Sequence, residues 1–590
     1  MMEAFERIDI QELPLHVPHF RRQVEDFLGS NGLRLEEVDL YLGVLDSEGH
    51  ILAGGGLCGD LIKCIAVSAS ARSEGLSVPL VSRLISVASE RGYAHVKVFT
   101  KPDNLAVFES LGFRLLARSP KAVFMENGRG LETYCSGLRS FRKPGRTGVI
   151  VMNANPFTLG HRYVVDQASR EVGNLVVIPV KEDCSRFPYA ERLSMLRQEC
   201  PVVPDGSVYQ ISATTFPTYF LKDLSDAAET QMRLDIDLFG RYIAPALGAD
   251  VRFVGSEPAD PLTARYNELM QEILPGYGIR VVEIPRLCDA EGPVSATRVR
   301  TSLDQGRYGA AAALTPASTH PFLLADLAVR ALTLEVDAPL KPGLVGPDST
   351  GAHLDMDYPL MHKSITVLRP YFSRMAAAGS PEELRQLGIG AEKEMLQATG
   401  GVNTHRGAIF ALGLALAAAY TTFASLPNLD SRNTEATDFE RLMQNNLLEI
   451  ARVVLRKSMN ASELSAAALS HGAEAVRRYG VRGARELSIE GYKELFADWL
   501  PFYRSVRGDA WALQKTLLRI MSTLDDTCVI HRVGFDRAQA VKEEAGMLLK
   551  DFSVEKLKNM NARYCAEGVS PGGAADMLAL TVLIDSLITQ

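Results

Sequence analysis

The sequence predicts a multidomain protein in which two α/β domains precede an all-α C-terminal domain. Strand-like and helix-like segments alternate up to about residue 318, and such alternation is typical of α/β domains. From about residue 320 onward, long segments rich in Ala and Leu repeat their apolar residues at helical spacing. A chain of 590 residues is also expected to form several domains. We therefore predict domains at 1–140, 145–318 and 320–590.

The composition favours a cytoplasmic enzyme that binds neither nucleic acid nor membrane. The net charge of −8 argues against nucleic-acid binding, because neutralising phosphates needs a surplus of Lys and Arg. None of the eight cysteines belongs to a CxxC pair, so no zinc site or disulfide framework is predicted. The first residues are acidic and include no apolar leader segment. The apolar stretch from Ala408, "AIFALGLALAAAYTTFASLP", lies in an amphipathic neighbourhood and predicts a buried core helix.

The first domain is predicted to contain short strands with two helices between them. Three successive strands are "VDLYLGVLD", "HILAGGGLCG" and "LIKCIAVS", and "HVKVFT" and "AVFMEN" are two more. The segments "SVPLVSRLISVASERG" and "NLAVFESLGF" are predicted helices. A basic segment with Pro and Gly, "FRKPGRTG" at Phe141–Gly148, then predicts a linker.

The second domain is predicted to hold a parallel sheet. Its strands are "GVIVMN", "NLVVIPV", "DVRFVGSEP" and "IRVVEIPR", and helical segments such as "YAERLSMLRQEC" lie between them. Strands that alternate with helices imply crossover connections, which join parallel neighbours.

The corner "NANPFTLGH", residues 153–161, follows the first of these strands and opens a helix at about Gly160. Free N–H groups and the helix dipole attract anions to a helix N-terminus. Gly160 lets a nucleotide approach the backbone closely. The three-residue spacing places Thr158 and His161 on the same face, where the imidazole would stabilise charge on a phosphate. These residues predict a phosphate site to which Asn155, Pro156 and Phe157 also belong, although a capped turn with a surface His remains the alternative.

A second polar motif, "PVSATRVR" at Pro293–Arg300, ends the same domain. It offers the hydroxyls of Ser295 and Thr297, with Arg298 and Arg300, at the start of another helix. Hydroxyls, free N–H groups and guanidinium groups suit the outer phosphates of ATP. Two such motifs at opposite ends of one α/β domain favour nucleotide binding over two incidental helix caps.

"TLGH" and "SATRVR" resemble the signatures of the nucleotidylyltransferase superfamily, which has a Rossmann-like fold. "FTLGHRYVVDQAS", "RFPYAERLSMLR" and "FVGSEPADPLTARYNELM" are more closely similar to blocks of the citrate (pro-3S)-lyase ligase family. The resemblance covers about residues 1–318. It implies that ATP and acetate form acetyl-AMP, and that the acetyl group then passes to the thiol of the prosthetic group on the citrate lyase acyl carrier subunit.

The same resemblance implies roles for individual residues. Thr158 and His161 would flank the triphosphate, and Ser295, Thr297 and Arg298 would hold its outer phosphates. Lys181, at the end of the strand "VVIPVK", would reach the acetyl-adenylate, although a solvated lysine is an equally good interpretation.

The first domain resembles a GNAT-type acetyltransferase. The segment "RSEGLS" keeps Arg72 and Gly75 of that family's acyl-CoA turn but has Ser77 where the family has a second Gly or Ala. We therefore expect this domain to dock a pantetheine-like arm rather than to act as an independent acetyltransferase.

Four polar clusters interrupt the apolar helices of the third domain: "KPGLVGPDSTGAHLDMD", "TGGVNTHRGAIF", "STLDDTCVIHR" and "SPGGAADMLAL". Glycines beside Lys, Arg, Thr and Ser form anion-binding backbone cradles. The clusters also contain carboxylates of the kind that Mg²⁺ prefers: Asp348, Asp355, Asp357, Asp525, Asp526 and Asp576. A helix cap with a solvated acid is the plainer interpretation of any one cluster, but four clusters in one helical domain favour a ligand site.

These blocks resemble triphosphoribosyl-dephospho-CoA synthase over about residues 320–590. That family joins ATP to 3'-dephospho-CoA through a ribosyl linkage and releases adenine. The resemblance implies metal roles for Asp348, Asp355 and Asp526, catalytic roles at the ribose for Asp355 and Asp526, and protonation of adenine by His405 or His531. The implied nucleotide-binding residues are Lys341, Gly343, Thr404, Arg406, Arg532, Ser570, Gly572 and Gly573.

Together, these resemblances predict a bifunctional enzyme that uses ATP and Mg²⁺. Its partners would be acetate, 3'-dephospho-CoA and the citrate lyase acyl carrier subunit, with a separate transferase attaching the completed group. Two alternatives remain. The synthase domain would serve malonate decarboxylase in one, and the first 318 residues would be a non-catalytic carrier-binding scaffold in the other.

Overall fold

The computed structural model describes residues 9–72, 74–182, 185–257, 260–425, 436–458 and 471–589. Ser73 and Cys184 therefore lie outside the described residues. The chain forms two compact units, of which the first comprises Met1–Asn155 and Gly160–Pro293, and the second comprises Pro156–Leu159 and Val294–Gln590. The first unit is mixed α/β and the second is helical, whereas the three predicted domain boundaries stay predictions.

The first sheet has seven strands in the order β1-β2-β3-β4-β5-β7-β6. All neighbours pair antiparallel except β4 and β5, which pair in parallel only at Leu61–Lys97 and Ile62–Val98 and so separate beyond these residues. The strands are β1 Ile10–Glu12, β2 Leu40–Leu45, β3 Ile51–Cys58, β4 Leu61–Val67, β5 Val96–Thr100, β6 Arg114–Arg118 and β7 Val123–Asn127.

The second sheet confirms the predicted parallel arrangement. Its strands are β8 Thr147–Met152, β9 Asn174–Pro179, β10 Ala249–Gly255 and β11 Arg280–Ile284, in the order β11-β10-β8-β9. The chain leaves β8 toward β9 and then returns to the other side of β8 at β10. This reversal makes the carboxyl end of β8 a topological switch point, where open parallel sheets bind their ligands. A small hairpin of β12 Cys288–Asp289 and β13 Gly292–Pro293 follows.

Helices cover both sheets of the first unit, and one hydrophobic core joins the two sheets. Phe99 and Phe124 from the first sheet share this core with Val149 and Ile178 from the second. The hydroxyl of Tyr219 also donates a hydrogen bond to the carbonyl of Phe99 at 3.3 Å. The helices are Pro18–Ser30, Ser77–Glu90, Leu105–Ser110, Gly130–Leu138, Leu159–Glu171, Tyr189–Arg197, Ala227–Leu238, Ala244–Leu247 and Pro261–Ile273.

Two apolar helices, Arg406–Ala424 and Gly572–Ile588, are largely buried within the second unit. Of the described helices, only Arg406–Ala424 is long and apolar enough to span a membrane, and 72% of that stretch is buried by protein. The other helices are Ala296–Asp304, Tyr308–Ala313, His320–Asp337, Tyr358–Ala376, Pro381–Ala398, Ala436–Ser458, His471–Tyr479, Ala484–Ile489, Leu500–Val506, Ala512–Thr523, Thr527–Val533, Phe535–Lys550 and Val554–Glu567.

Candidate functional site

The buried guanidinium of Arg192 fixes the loops that follow β8 and β9. Nη1 donates to the carbonyl of Asn153 at 3.1 Å and to that of Val180 at 2.6 Å. Nε donates to the carbonyl of Phe187 at 2.9 Å. Because Arg192 is fully buried, these loops are held by charge-assisted hydrogen bonds in a low dielectric. No pattern in the sequence predicts this role for Arg192.

His161 lies in the first turn of the helix Leu159–Glu171. Burial, and then the positive charge of Arg286, lower its pKa to about 4. Arg286 is held by a hydrogen bond from Nε to the carbonyl of Ser256 at 2.8 Å and by an ion pair with Glu257. The imidazole is therefore neutral at pH 7, and the positive charge beside it belongs to Arg286.

Asn155 and Lys181 also lie after β8 and β9, where the sequence predicts them. The Oδ1 atom of Asn155 accepts a hydrogen bond from the backbone N–H of Phe187 at 3.1 Å. The backbone N–H of Lys181 donates to Ser207 Oγ at 3.1 Å, and its ammonium lies 5.8 Å from the ring centroid of Tyr189. Gly160 occupies the first turn of the helix Leu159–Glu171. The first unit thus gathers Asn155, Gly160, Lys181 and His161 after β8 and β9.

The remaining residues predicted for the ATP-splitting site belong to the second unit. Pro156, Phe157 and Thr158 are buried there, and the carbonyl of Phe157 accepts a hydrogen bond from Thr319 at 3.0 Å. The helix Ala296–Asp304 begins at a genuine cap, because Ser295 Oγ accepts the backbone N–H of Arg298 at 3.2 Å. Thr297 accepts a hydrogen bond from Arg300 at 3.0 Å.

Asp526 satisfies the N-termini of two helices in the second unit. Its carboxylate accepts the backbone N–H of Cys528 at 2.9 Å in the helix Thr527–Val533. It also accepts the N–H of Ala574 at 2.8 Å in the helix Gly572–Ile588. A Cβ atom at Gly573 would lie 2.9 Å from Asp526 Oδ1, so that glycine allows the close approach. This carboxylate joins two of the predicted clusters.

A second carboxylate, Asp576 in the helix Gly572–Ile588, lies against Gly407 and so connects a third cluster to this helix. A Cβ atom at Gly407 would lie 1.9 Å from Asp576 Oδ2, so only glycine fits there. Burial, followed by the negative charges of Glu335 and Asp526, raises the pKa of Asp576 well above its usual value. A buried acid whose pKa is raised by neighbouring carboxylates fits a divalent cation, which would relieve the repulsion.

Lys341 is connected to Asp576 through Glu335, which also raises the pKa of Asp576. The buried ammonium of Lys341 forms an ion pair with Glu335 at 2.5 Å. Gly343 has a φ of +73°, its N–H donates to Asn561 Oδ1 at 3.0 Å, and a Cβ atom there would lie 1.9 Å from the carbonyl of Val569. The loop that contains Gly343 is thereby fixed against the loop before Gly572.

His353 connects two further clusters. Its Nε2 lies 2.8 Å from Ser570 Oγ, and its Nδ1 lies 2.9 Å from Nη2 of Arg532. Since a guanidinium only donates, Nδ1 accepts, and the neutral ring then carries its proton on Nε2 and donates to Ser570. Burial and the charge of Arg532 lower the pKa of His353, which favours this neutral form. Ser570 and Arg532 are predicted from the sequence as site residues, whereas the histidine between them is not.

The ring of His405 is buried, with its Nε2 atom away from solvent. Thr404 Oγ1 donates to Ser364 Oγ at 2.7 Å, and that hydroxyl lies 2.8 Å from His405 Nδ1. In the tautomer in which the Ser364 hydroxyl donates to Nδ1, the ring proton lies on Nε2. Nε2 is buried without a hydrogen-bond partner among the described residues. A buried polar atom such as Nε2 is normally hydrogen-bonded, and a bound substrate would supply the missing partner.

Other predicted residues are exposed. Asp348 and Asp355 lie on an exposed loop, where Asp355 approaches Nδ1 of His353 at 3.8 Å. His531 is exposed at the end of the helix Thr527–Val533, and Arg406 forms an ion pair with Glu392. Within the described ranges, no three His, Cys, Asp or Glu side chains gather as a metal site. Asp348, Asp355 and Asp526 therefore do not form a three-carboxylate site, and their individual roles stay predictions.

Two family models match consecutive parts of the chain. A model described as citrate lyase ligase C-terminal domain matches residues 147–323. A model described as ATP:dephospho-CoA triphosphoribosyl transferase matches residues 321–590. The citrate (pro-3S)-lyase ligase of Klebsiella pneumoniae is 41% identical over 317 residues, which cover 52% of this chain and 92% of the relative.

The "Probable 2-(5''-triphosphoribosyl)-3'-dephosphocoenzyme-A synthase" of Pseudomonas fluorescens is 39% identical over 283 residues, which cover 45% of this chain and 91% of the relative. The chain belongs to both families. It is a fusion, with a ligase half before residue 321 and a synthase half at residues 321–590. The clusters that contain Lys341, His405, Asp526 and Asp576 all lie in the synthase half.

The buried His405 should make the stability of the synthase half depend on pH. Burial and the charge of Lys341 lower its pKa to about 3, whereas an unfolded histidine has a pKa of about 6.5. Below pH 6.5 the unfolded chain binds the extra proton, so stability falls as pH decreases and is fully present above that value. Between pH 7 and pH 5 we expect His405 to account for a loss of about 2 kcal/mol in the free energy of unfolding.

His405→Asn keeps an acceptor for Ser364 and should remove most of this difference. The measurement is urea unfolding of the helical region at both pH values, followed by circular dichroism. Equal pH differences in the wild-type protein and the variant would contradict the assignment.

Proposed function

We propose that the chain is a bifunctional enzyme that activates citrate lyase and uses ATP in both reactions. The ligase half converts acetate and ATP to acetyl-AMP and pyrophosphate, and then transfers the acetyl group to the prosthetic-group thiol of the citrate lyase acyl carrier subunit, which releases AMP. The synthase half converts ATP and 3'-dephospho-CoA to 2'-(5''-triphosphoribosyl)-3'-dephospho-CoA and adenine. The observation that carries the proposal is the direct contact between sequence blocks that are far apart in the synthase half, through His353, Asp526 and Asp576.

In the ligase half, the reaction needs positioning and charge stabilisation, because the acetate oxygen itself attacks the α-phosphate. The sheet topology places His161 and Arg286 after β8 and β11, at the edge where parallel sheets bind nucleotides. We assign Arg286 to the charge of the phosphates and the neutral His161 to a hydrogen bond with the leaving pyrophosphate. We assign this half to a Rossmann-like nucleotidylyltransferase domain. Ser295, Thr297 and Arg298, which the sequence predicts for the outer phosphates, belong to the second unit and stay predictions.

In the synthase half, the 2'-hydroxyl of dephospho-CoA would attack C1 of the ATP ribose while adenine leaves. Carboxylates stabilise the oxocarbenium-like charge of such a transition state. Asp526 and Asp576 fit this task and would also hold Mg²⁺, which supplies charge neutralisation to the triphosphate when it is bound. The N–H of His405 Nε2 would donate to the leaving adenine, and Lys341 and Arg406 would contact phosphates.

The N-terminal sheet fits a GNAT-like domain, because β4 and β5 pair only over two residues and then separate. We propose that it binds the pantetheine-like arm of the carrier subunit. A separate transferase would attach the finished prosthetic group. A cytoplasmic location agrees with seven described cysteines that are all free thiols. The citrate lyase ligase relatives of the first half favour citrate lyase over malonate decarboxylase as the recipient.

The direct test of the synthase reaction is incubation of the full chain with ATP, Mg²⁺ and 3'-dephospho-CoA, followed by chromatography for free adenine. Adenine should appear only when dephospho-CoA is present. Formation of ADP or AMP without adenine would refute the ribosyl transfer.

His161→Ala should abolish activation of acetate and spare ribosyl transfer. Loss of a hydrogen-bond donor to the developing phosphate charge costs about 100-fold or more in rate. The measurements are acetate-dependent exchange of labelled pyrophosphate into ATP, and adenine release on the same sample. Arg170→Ala, an exposed change in the last turn of the same helix, is the matched control and should keep both activities.

Asp526→Asn should produce the opposite pattern. Asparagine keeps one oxygen for the backbone N–H groups but removes the negative charge, so adenine release should fall about 100-fold or more while pyrophosphate exchange persists. Ser553→Ala removes another helix cap of the synthase half, in which Ser553 Oγ accepts Lys556 N–H at 3.2 Å. This control loses about 1 kcal/mol of stability and should keep adenine release. Loss of both activities in a folded Asp526→Asn protein would argue against two separate sites.

Arg72→Ala should weaken recognition of the carrier subunit. Arg72 is exposed before the helix Ser77–Glu90, where it would contact an anionic group of the pantetheine-like arm. The KM for the carrier subunit should rise about tenfold, and pyrophosphate exchange should not change. Arg83→Ala, on the exposed side of that helix beside Glu90, is the control. An unchanged KM in Arg72→Ala would exclude this docking role.

A further inference from the structure

The ligase half contains a cavity of about 40 Å³. It is lined by residues from β8, β9 and β10 and from the helix Ala227–Leu238. Apolar side chains from β8 and β9, Val151 and Ile178, form one part of the wall, and Arg252 and Asp235 form another. The cavity is distinct from the residues assigned above to the phosphates of ATP.

The guanidinium of Arg252 reaches this cavity without a hydrogen-bond partner from the described residues. Arg252 is 5% exposed, and both Nε and Nη1 are buried and unpaired. Its contact is with a ring, since the guanidinium carbon lies 4.7 Å from the centroid of Phe239. Buried guanidinium groups are normally paired through several of their five N–H donors. This arrangement therefore needs a further occupant.

Asp235, the carboxylate that shares the cavity wall, is already engaged. Its Oδ1 accepts the backbone N–H of Ile211 at 2.7 Å, and its Oδ2 accepts the hydroxyl of Tyr266. Burial lowers the pKa of Arg252, and the charges of Tyr266 and Asp235 partly offset this, but no hydrogen bond from Nε or Nη1 of Arg252 to Asp235 is formed among the described side chains. The N–H groups on Nε and Nη1 of Arg252 are thus the donors at the cavity that still lack an acceptor.

The size and walls of the cavity define the ligand. A buried water needs about 10–15 Å³ by the same measure, so 40 Å³ accommodates about three waters or one molecule of similar size. A carboxylate matches a guanidinium with two parallel hydrogen bonds. Val151 and Ile178 offer an apolar surface that suits a methyl group. These features describe a carboxylic acid with two carbon atoms.

The cavity also adjoins the sheet edge that holds the ATP-site residues. Ser207 lines the cavity, and its hydroxyl accepts the backbone N–H of Lys181 at 3.1 Å. Lys181 directly follows β9, at the carboxyl end of the parallel sheet. A small acid in the cavity would therefore lie beneath the loop that carries Lys181.

We propose that Arg252 and the cavity around it form the binding site for the short carboxylic acid that the ligase half activates. This inference rests on the proposed function of that half. Arg252 provides the charge and hydrogen bonds that bind the carboxylate before it meets ATP, and Val151 and Ile178 limit the length of the acid.

Binding is tested with ¹³C-labelled acetate and the full chain, by the line broadening of the acetate signal in NMR spectra. The wild-type protein should broaden the signal, and Arg252→Met should lose the effect. Arg280→Met is the matched control, because Arg280 lies on the neighbouring strand with an exposed side chain paired to Glu171 at 2.7 Å. Arg252→Met removes an unpaired buried charge, so the variant should stay folded. Equal broadening by Arg252→Met, or no broadening by the wild-type protein, would overturn the proposal in favour of a hydrated cavity.

Kinetics give a second readout. In pyrophosphate exchange, Arg252→Lys should raise the KM for acetate about tenfold or more and leave the KM for ATP unchanged. Ile178→Ala should enlarge the cavity and reduce the preference for acetate over propionate about tenfold. A wild-type protein that binds acetate in the NMR experiment but exchanges no pyrophosphate would refute the proposed ligase reaction and leave the binding site intact. An unchanged acetate KM in Arg252→Lys would reject the site even if the reaction occurs.

Discussion

The synthase half depends on one carboxylate that satisfies two helix N-termini. Asp526 accepts N–H groups from the first turns of the helices Thr527–Val533 and Gly572–Ile588. Helix N-termini that are buried without acceptors are costly, so this carboxylate fixes where the two helices begin. It also brings their positive dipole ends to the same point. The hydrogen bonds of Asp526 that fix these two helices therefore also bring two of the predicted polar clusters together.

This constraint explains why negative charges can accumulate there. Glu335 and Asp526 lie close enough to Asp576 to repel its charge, and burial adds to the cost. Backbone N–H groups at the helix ends and the ammonium of Lys341 offset part of that cost. The repulsion that remains among the carboxylates favours a cation. The metal ion of a metal-bound triphosphate, or a ribosyl cation, would relieve it. In the ligase half the local charge is positive instead. Arg286 lies near His161 and carries that charge, while burial and Arg286 keep the imidazole neutral.

The alternation of elements was enough to predict the parallel sheet and the helical C-terminal region, because apolar periodicity reflects local packing. The helix Ala227–Leu238 was missed because it buries Asp235 and Asp237, which interrupt its apolar period. The strand β6 was missed because "RLLAR" is short and flanked by charges. Both failures arise where tertiary contacts satisfy polar groups that local patterns assign to solvent.

The sequence predicted which segments carry the candidate site residues, but it did not predict the contacts between those segments. Ser570 and Arg532 were predicted, yet His353 becomes important only through partners that lie 217 and 179 residues away. Arg192 binds backbone carbonyls, which leave no trace in a side-chain pattern. Arg252 did leave a signal, since a charged residue within the apolar strand "DVRFVG" must either be paired or await a ligand.

The two halves show why a single substrate requires two pockets of opposite charge. In the ligase reaction the attacked atom is a phosphorus atom surrounded by oxygens, and negative charge grows on the departing pyrophosphate. Cations and N–H donors stabilise that charge, as Arg286 and His161 would in the proposed site. In the synthase reaction the attacked atom is a sugar carbon that becomes positive as adenine leaves. Carboxylates stabilise such a charge, as Asp526 and Asp576 would in the proposed site. An arrangement that favoured one transition state would oppose the other, and ATP can therefore be cleaved at both bonds only if each bond has its own site.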